Sequence, residues 1–425
     1  MNEDFTQINN NINIGGFQPQ QDRKHEFNYR PISQQPSQTS AYVPPQTNYG
    51  RQPFNTPPQT GVSYSYAPQP QYIPAPQSIA PPMYGYYPYT PREIERESLR
   101  KSASKAGKAT LAIFLLMQGL AIVLMMVVMF TGAMREFGEG DPYMGFSPAG
   151  FYLFEGMLSL VSIAVPTLIM LKTSGERIDT LVPFTGINGK LLAAMTVGGM
   201  AICMLAQIVP TLFGINMSLF GIDIYENLTD SEMAVSVMDF IMNTICTAVI
   251  PALVEEFAFR GLVLGVLKKH GDMFAVITSA FLFGMLHGNF VQIPFAFIVG
   301  LVLGYVRVKT DSMLPSVLIH FGNNFFAVTM TYLSELLPEN LSLICESLVV
   351  IILIIAGFAA IAFLSKNYRE FFEYKSNKEQ KTLYSYKEKL QIFFSNGFVI
   401  ADIIILTLIA VFYLFPTDEI MSSLT

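Results

Sequence analysis

From Lys108 onward the chain alternates long apolar runs with short polar breaks. Runs of about 18 or more apolar residues can cross a bilayer as helix. Nine such runs lie near 109–133, 148–171, 190–213, 232–267, 272–289, 291–307, 312–337, 342–365 and 396–415. The pattern predicts an all-α polytopic membrane protein with about nine transmembrane helices. The fourth run, ~36 residues or ~54 Å of helix, is too long for one straight crossing. It carries Glu232, Asp239 and Asn243 ahead of Pro251. That predicts a kink at the proline, an interfacial or tilted lead-in, and an interfacial or helix-packing role for Asp239 and Asn243.

Before the runs, the pattern disappears. Residues 1–105 are rich in Gln, Pro, Asn, Ser and Tyr, and 16 of the 26 prolines precede Arg92. Such a segment cannot bury enough surface to offset its ordering entropy, so a disordered tail is expected. It has no basic stretch leading into an apolar one, so it does not read as a signal peptide. Its "APPMYGYYPYTP" stretch offers a ligand to an aromatic-grooved partner protein, and a solvated spacer is the plainer reading. The expected organisation is a tail (1–105), N-terminal spans (106–231), a central core (232–337) and C-terminal spans with a basic loop (338–425).

Composition agrees with a bilayer as the main partner. The 425 residues are 51% hydrophobic and 14% charged, with mean hydropathy +0.39; soluble chains are nearer a quarter charged. A net charge of -6 and the absence of a basic run with interleaved aromatics give no footing for nucleic acid. Cys203, Cys246 and Cys345 fall in or beside apolar runs and form neither a disulfide framework nor a zinc-finger spacing.

Basic residues set the expected orientation. Arg92, Arg96, Arg100, Lys101, Lys105 and Lys108 precede the first span, placing the tail in the cytoplasm. Lys172, Arg177 and Lys190, then Lys268 and Lys269, then Arg307 and Lys309, mark further internal loops. The loop from Lys366 to Lys389 carries seven lysines and arginines. The loops "REFGEGDPYMG" and "GIDIYENLTDSE", Glu335 with Glu339, and Asp418 with Glu419 read as external. With nine crossings every loop alternates, and the C-terminus is external. The plasma membrane is the expected location. The external Asn227-Leu-Thr229 sequon matters only in a glycosylating compartment.

Against this background "VEEFAFRG", residues 254–261, is anomalous. A charge near the bilayer centre costs roughly 2.5–3.5 kcal/mol on insertion scales. Glu256 and Arg260 are four apart and can pair, whereas Glu255 lies ~100° around the helix without that partner. Two of the four histidines are also in apolar runs: His287 in "FLFGMLHGNF" and His320, four before Asn324, in "PSVLIHFGNNFF". His25 and His270 are in polar settings. Counted at 1.5 Å per residue from the nearest cytoplasmic charge, Glu255, His287, His320 and Asn324 lie ~20, ~22, ~14 and ~20 Å deep. One carboxylate and two imidazoles at a common level suit metal ligation with an activated water, or direct water activation by the glutamate. Asn324 is placed to donate to a developing oxyanion.

Glu255-Glu256-x-x-x-Arg260, then Phe283-x-x-x-His287, then His320-x-x-x-Asn324, in this order on consecutive helices, resembles the CPBP (CAAX protease and bacteriocin-processing, or Abi) family. Asn in the last position, where Asp also occurs, is within the family's range. The resemblance covers about residues 232–330. It implies a multi-helix intramembrane endopeptidase, a CAAX-type metalloendopeptidase by the family's usual label. Substrates would be lipidated or leader peptides, or membrane proteins. Carried over, Glu255 looks like the water-activating base, with Glu256 and Arg260 supporting it. His287 and His320 look like metal ligands or transition-state stabilisers, and Asn324 like an oxyanion-hole residue. Spacing leaves open which glutamate is the base. Metal use is also open: Glu255, His287 and His320 would be the ligands of a divalent ion such as zinc, yet a glutamate with two histidines can work without one. Other classes are a non-proteolytic immunity or scaffold protein and, on intramembrane ionisable residues alone, a proton- or ion-coupled transporter.

Overall fold

The structure, a computed structural model, describes residues 89–131, 143, 145–219, 236–373 and 382–412, all within one compact unit, Tyr84–Thr425. The expected tail up to residue 88, most of the first external loop, the Asn227 sequon, Glu232, the middle of the basic loop and the C-terminal acidic pair lie outside the described residues.

The described residues form ten main helices: α1 (Pro91–Thr131), α2 (Pro148–Thr173), α3 (Gly189–Leu219, interrupted at Gln207), α4 (Val237–Lys268), α5 (Asp272–Leu286), α6 (Gln292–Thr310), α7 (Leu314–Leu336), α8 (Glu339–Asn367), α9 (Tyr386–Phe394) and α10 (Gly397–Phe412). Extended pairing among these residues is confined to one bridge, Phe184 to Ser312. The protein is an all-α polytopic membrane protein. Each expected span has a helical counterpart, but the spanning count is smaller. Six helices (α1, α2, α3, α4, α6 and α8) are long and apolar enough to cross, and the α9–α10 pair, bent by 70°, makes up to seven. At 15 residues α5 is too short, covering ~22 Å of a ~30 Å hydrocarbon core. The 23 residues of α7 include Ser316, His320, Asn323 and Asn324, which lower its hydropathy.

One further expectation is corrected. The tail boundary at 105 falls inside α1, which starts at Pro91. Thr90 and Glu93 form a reciprocal capping box, Glu93 accepting from Thr90 N at 2.7 Å and Thr90 Oγ1 from Glu93 N at 3.3 Å, with Pro91 at the first helical position. Tertiary bonds then hold the polar half of α1 in place. Arg92 pairs with Glu388 at 2.6 Å, Glu95 accepts from Leu383 N at 2.7 Å, and Ser102 meets His270 Nε2 at 3.0 Å. Pro251 lies within the fourth span. α4 runs through as one helix with π turns at Thr244–Val249 and Phe257–Val263.

The loops expected on one side of the membrane meet at one end of the bundle. Lys105 donates to Ser174 O at 2.6 Å, Lys269 pairs with Glu176 at 2.8 Å, Lys268 pairs with Asp311 at 2.8 Å, and Lys389 donates to His270 O. Deeper in, α5 and α6 form a tight hairpin. A Cβ on Gly284 would sit 2.9 Å from Ile293 O, and one on Gly300 3.0 Å from Ala280 Cβ. The second contact sets α6 beside Phe283, whose ring faces the polar cluster described next. A separate apolar cavity of about 400 Å³ lies between α3, α5, α6 and α8, lined by Met195, Gly199, Val276, Leu301, Tyr305 and Leu364 among others. It shares no residue with that cluster.

Candidate active site

The site is assembled around α4. Between its two π turns lies the α-helical segment Ile250–Glu256, which ends on the glutamate pair. Such turns are rare and concentrate at functional sites. The second contains Arg260 and Gly261 and is packed closely by the loop after α2: a Cβ on Gly261 would come within 2.9 Å of Val182 Cγ2.

The two glutamates have different environments. Glu256 is fully buried. Its Oε1 lies 2.8 Å from Arg260 Nη1, as an ion pair outside hydrogen-bond angle, and accepts from His320 Nδ1 at 2.9 Å. The Glu255 side chain keeps 18% exposure, and its Oε2 stands 3.7 Å from His320 Nε2, beyond a direct hydrogen bond. The i,i+4 pair expected from spacing is present, and His320 of α7 lies between the two carboxylates. With Glu256 accepting from Nδ1–H, the other ring nitrogen faces Glu255.

Phe283 joins the parts. The Arg260 guanidinium lies 4.1 Å from its ring centre. Its edge-to-face partners are His287 at 4.9 Å, Phe259 at 5.1 Å and His320 at 5.9 Å. These contacts lock rings and guanidinium together in a site with little water to hydrate them. His287 caps the end of α5, where Gly288, at φ 68°, stops the helix. His287 Nδ1 is 2.9 Å from Phe283 O, which fixes the proton on Nδ1 and leaves Nε2 free.

Asn324 is hydrogen-bonded at both ends of its amide. Its Nδ2 donates to Thr247 O of α4 at 3.2 Å, and its Oδ1 accepts from Asn323 Nδ2 at 3.3 Å. The sequence reading missed Asn323 and Thr247. A doubled asparagine one turn after an intramembrane histidine, and a threonine one turn before a proline, were the available signals. Asn243 is buried, and its Oδ1 accepts from Thr247 Oγ1 of the same helix at 2.6 Å.

The metal reading was tested on the same geometry. Among the described residues no three His, Cys, Asp or Glu side chains form a group that could hold a metal ion. His320 gives its Nδ1 to Glu256 and His287 its Nδ1 to Phe283 O, which leaves each Nε2 as the available nitrogen. It is the spacing of the side chains that keeps Glu255, His287 and His320 from forming a three-ligand set, and no step below passes through a metal.

Fold and cluster together define an intramembrane carboxylate–imidazole site in a polytopic helical protein. A family model described as Type II CAAX prenyl endopeptidase Rce1-like matches residues 237–326, from the start of α4 into α7. That stretch is similar to the Rce1-like family, and it holds all six candidate residues. No curated protein and no solved structure matches the chain.

Proposed function

We propose that this protein is an intramembrane endopeptidase that hydrolyses peptide bonds of membrane-associated substrates, with Glu255 as the base. The observation that carries the assignment is the contrast between the glutamates. Glu256 is held by Arg260 and His320, whereas Glu255 is partly accessible and 3.7 Å from His320 Nε2. That separation suits two groups that share a water.

The chemistry follows from these positions. A water between Glu255 and His320 Nε2 attacks the scissile carbonyl carbon and gives a proton to Glu255. The carbonyl electron pair moves onto oxygen, and the His320 or His287 ring donates to it only when its Nε2 is also protonated, because each Nδ1 proton is held by Glu256 or by Phe283 O. As the tetrahedral centre collapses, the C–N bond breaks and the proton on Glu255 passes to the leaving amine. Glu256 and Arg260 keep the His320 ring oriented and touch no substrate.

Substrates in this reading are lipidated C-termini, leader peptides or helix ends that reach membrane depth. The short α5 stops His287 within that depth. The end of the bundle where Lys105, Lys268, Lys269 and Lys389 gather faces the cytoplasm, by the bias of basic residues to that side. The test is cleavage of a panel of fluorogenic prenylated and leader-type peptides by the purified chain, with and without chelator. Glu255→Gln, His287→Ala and His320→Ala run alongside. The reading expects turnover by the wild type that Glu255→Gln abolishes. Turnover surviving Glu255→Gln would remove Glu255 as the base, and chelator-sensitive turnover would overturn the metal-free route.

A further inference from the structure

The cavity between α3, α5, α6 and α8 has no part in the chemistry above. Its floor is buried, formed by Met195 and Gly199 of α3, Val276 of α5 and Leu364 of α8. Its rim, at Ile202, Met273 and Phe372, is exposed. The lining offers nothing polar. Tyr305 carries the one hydroxyl among the lining residues, and that hydroxyl donates to Phe371 O at 2.7 Å. Water would lack the two to four partners it needs, whereas apolar cavities smaller than this one take apolar ligands. At about 400 Å³ the space is within the ~300–1,000 Å³ range of ligand sites. Left empty, its walls would forfeit dispersion contacts.

Position and shape narrow the occupant. Counted at 1.5 Å per residue from the helix ends nearest the lysine cluster, the lining runs from Met273 at ~2 Å to Leu301 at ~14 Å and Ile202 at ~20 Å. One leaflet contributes about half of the ~30 Å hydrocarbon core, so the cavity follows a leaflet through its depth. Spread over that depth, its volume gives a cross-section of roughly 20 Å², the girth of a single hydrocarbon chain. At the lysine end the turn Arg369–Phe371 folds over the cavity, tied by the Tyr305 bond and by Lys309 Nζ to Glu373 O at 2.8 Å. Entry is therefore lateral, past the exposed rim. The floor also backs the helix that carries His320. A Cβ on Gly199 would come within 2.5 Å of Ile319 Cδ1, so α3 presses on α7 at the residue before the histidine.

We propose that this cavity holds one acyl chain of a bilayer phospholipid, from the leaflet at the lysine end of the bundle, and that the chain braces α3 against α7. The occupant is bilayer lipid and not substrate, because the rim opens sideways and no lining residue belongs to the carboxylate–imidazole cluster. The inference needs only a membrane-embedded bundle and does not depend on peptide cleavage.

The experiment uses the full chain in detergent, washed free of lipid and titrated with palmitoyl-oleoyl phosphatidylcholine. Retained phospholipid is counted by mass spectrometry, and Tm is recorded at each step. Val302→Phe and Ile277→Phe fill the cavity from two different helices. Leu168→Phe adds the same ring to an exposed position on α2, which does not line the cavity. Wild type and Leu168→Phe should each retain one phospholipid more than either filled variant. Their Tm should rise saturably with added lipid, as for any ligand of the folded state, and the filled variants should lose that rise. Equal retention and equal rises in all four chains would mean surrounding lipid only and would overturn the site. Filled variants that raise KM for prenylated peptides alone, with no phospholipid effect on wild-type Tm, would give the cavity to the substrate and also overturn the proposal. Should both filled variants fail to fold, the wild type still decides: no phospholipid retained after reloading refutes the site.

Discussion

Glu256→Gln separates the two roles assigned within the glutamate pair. Glu256 is fully buried, and its partner Arg260 keeps 1% exposure with both Nη atoms outside hydrogen bonds. Taking away the carboxylate leaves a buried guanidinium with the Phe283 ring at 4.1 Å and the charge of Glu255. Breaking one side of a buried ion pair costs about 3–5 kcal/mol, and a cation–π contact returns no more than about 2 of that. A net loss of several kcal/mol is a large part of the stability of a typical domain. Glu255→Gln removes no comparable pairing. Its side chain is 18% exposed and 3.7 Å from His320, so the expected cost is below about 1 kcal/mol. Denaturation in micelles and peptide cleavage, measured on both variants, should give opposite profiles. Glu255→Gln stays as stable as wild type and is inactive, and Glu256→Gln unfolds much more readily. Adding Arg260→Met to Glu256→Gln should recover part of the stability, because the orphaned charge is gone. A Glu256→Gln variant as stable as wild type, or a Glu255→Gln variant that is the unstable one, would refute the assignment.

Other outcomes follow from single contacts. His270, in the loop after α4, has its pKa pushed down to about 4 by burial first and then by Lys269 and Lys389. Between pH 6.5 and 4 the unfolded chain binds a proton that the folded chain refuses, so stability should fall by up to about 3 kcal/mol as pH drops. His270→Gln should flatten that window in a pH series of melts, and an unchanged slope would rule out His270 as its source. Phe283→Leu removes the ring shared by Arg260, His287 and His320 and should cut kcat by about tenfold at nearly constant KM, with Phe283→Tyr close to wild type. Asp402 on α10 is buried with both carboxylate oxygens lacking partners, so Asp402→Leu should raise stability by about 1–3 kcal/mol. Unchanged stability with lost cleavage would give Asp402 a functional role instead.

The helices and the polar cluster were legible in the sequence because both depend on local signals. Apolar runs mark membrane helices, and charges inside them stand out. The i,i+4 spacing of Glu256 and Arg260 predicted their pair, and the shared depth of Glu255 and His320 anticipated their approach. What escaped depends on facts that no residue type announces. A π turn has no fixed composition, so nothing in "TICTAV" or "FAFRGLV" distinguishes it from α-helix. The spacing could not decide which glutamate is buried, because that depends on where α7 and α5 dock. The bond from Asn324 to Thr247 O was not legible because its acceptor is backbone and invisible in a side-chain pattern. The start of α1 was legible in Thr90-Pro91-Arg92-Glu93 but was hidden by the proline-rich composition around it.

The π turns of α4 also bear on how this segment tolerates change in length. Each behaves as one residue inserted into an otherwise regular helix. Removing a residue from Thr244–Val249 would return that turn to α-helix and keep the residues on either side, the glutamates and Arg260 among them, in phase. Related chains can therefore differ by a one-residue gap in the middle of this span and still present the same catalytic face. An alignment that forbids gaps within membrane helices would mispair Asn243 and Thr247 while matching the glutamates correctly.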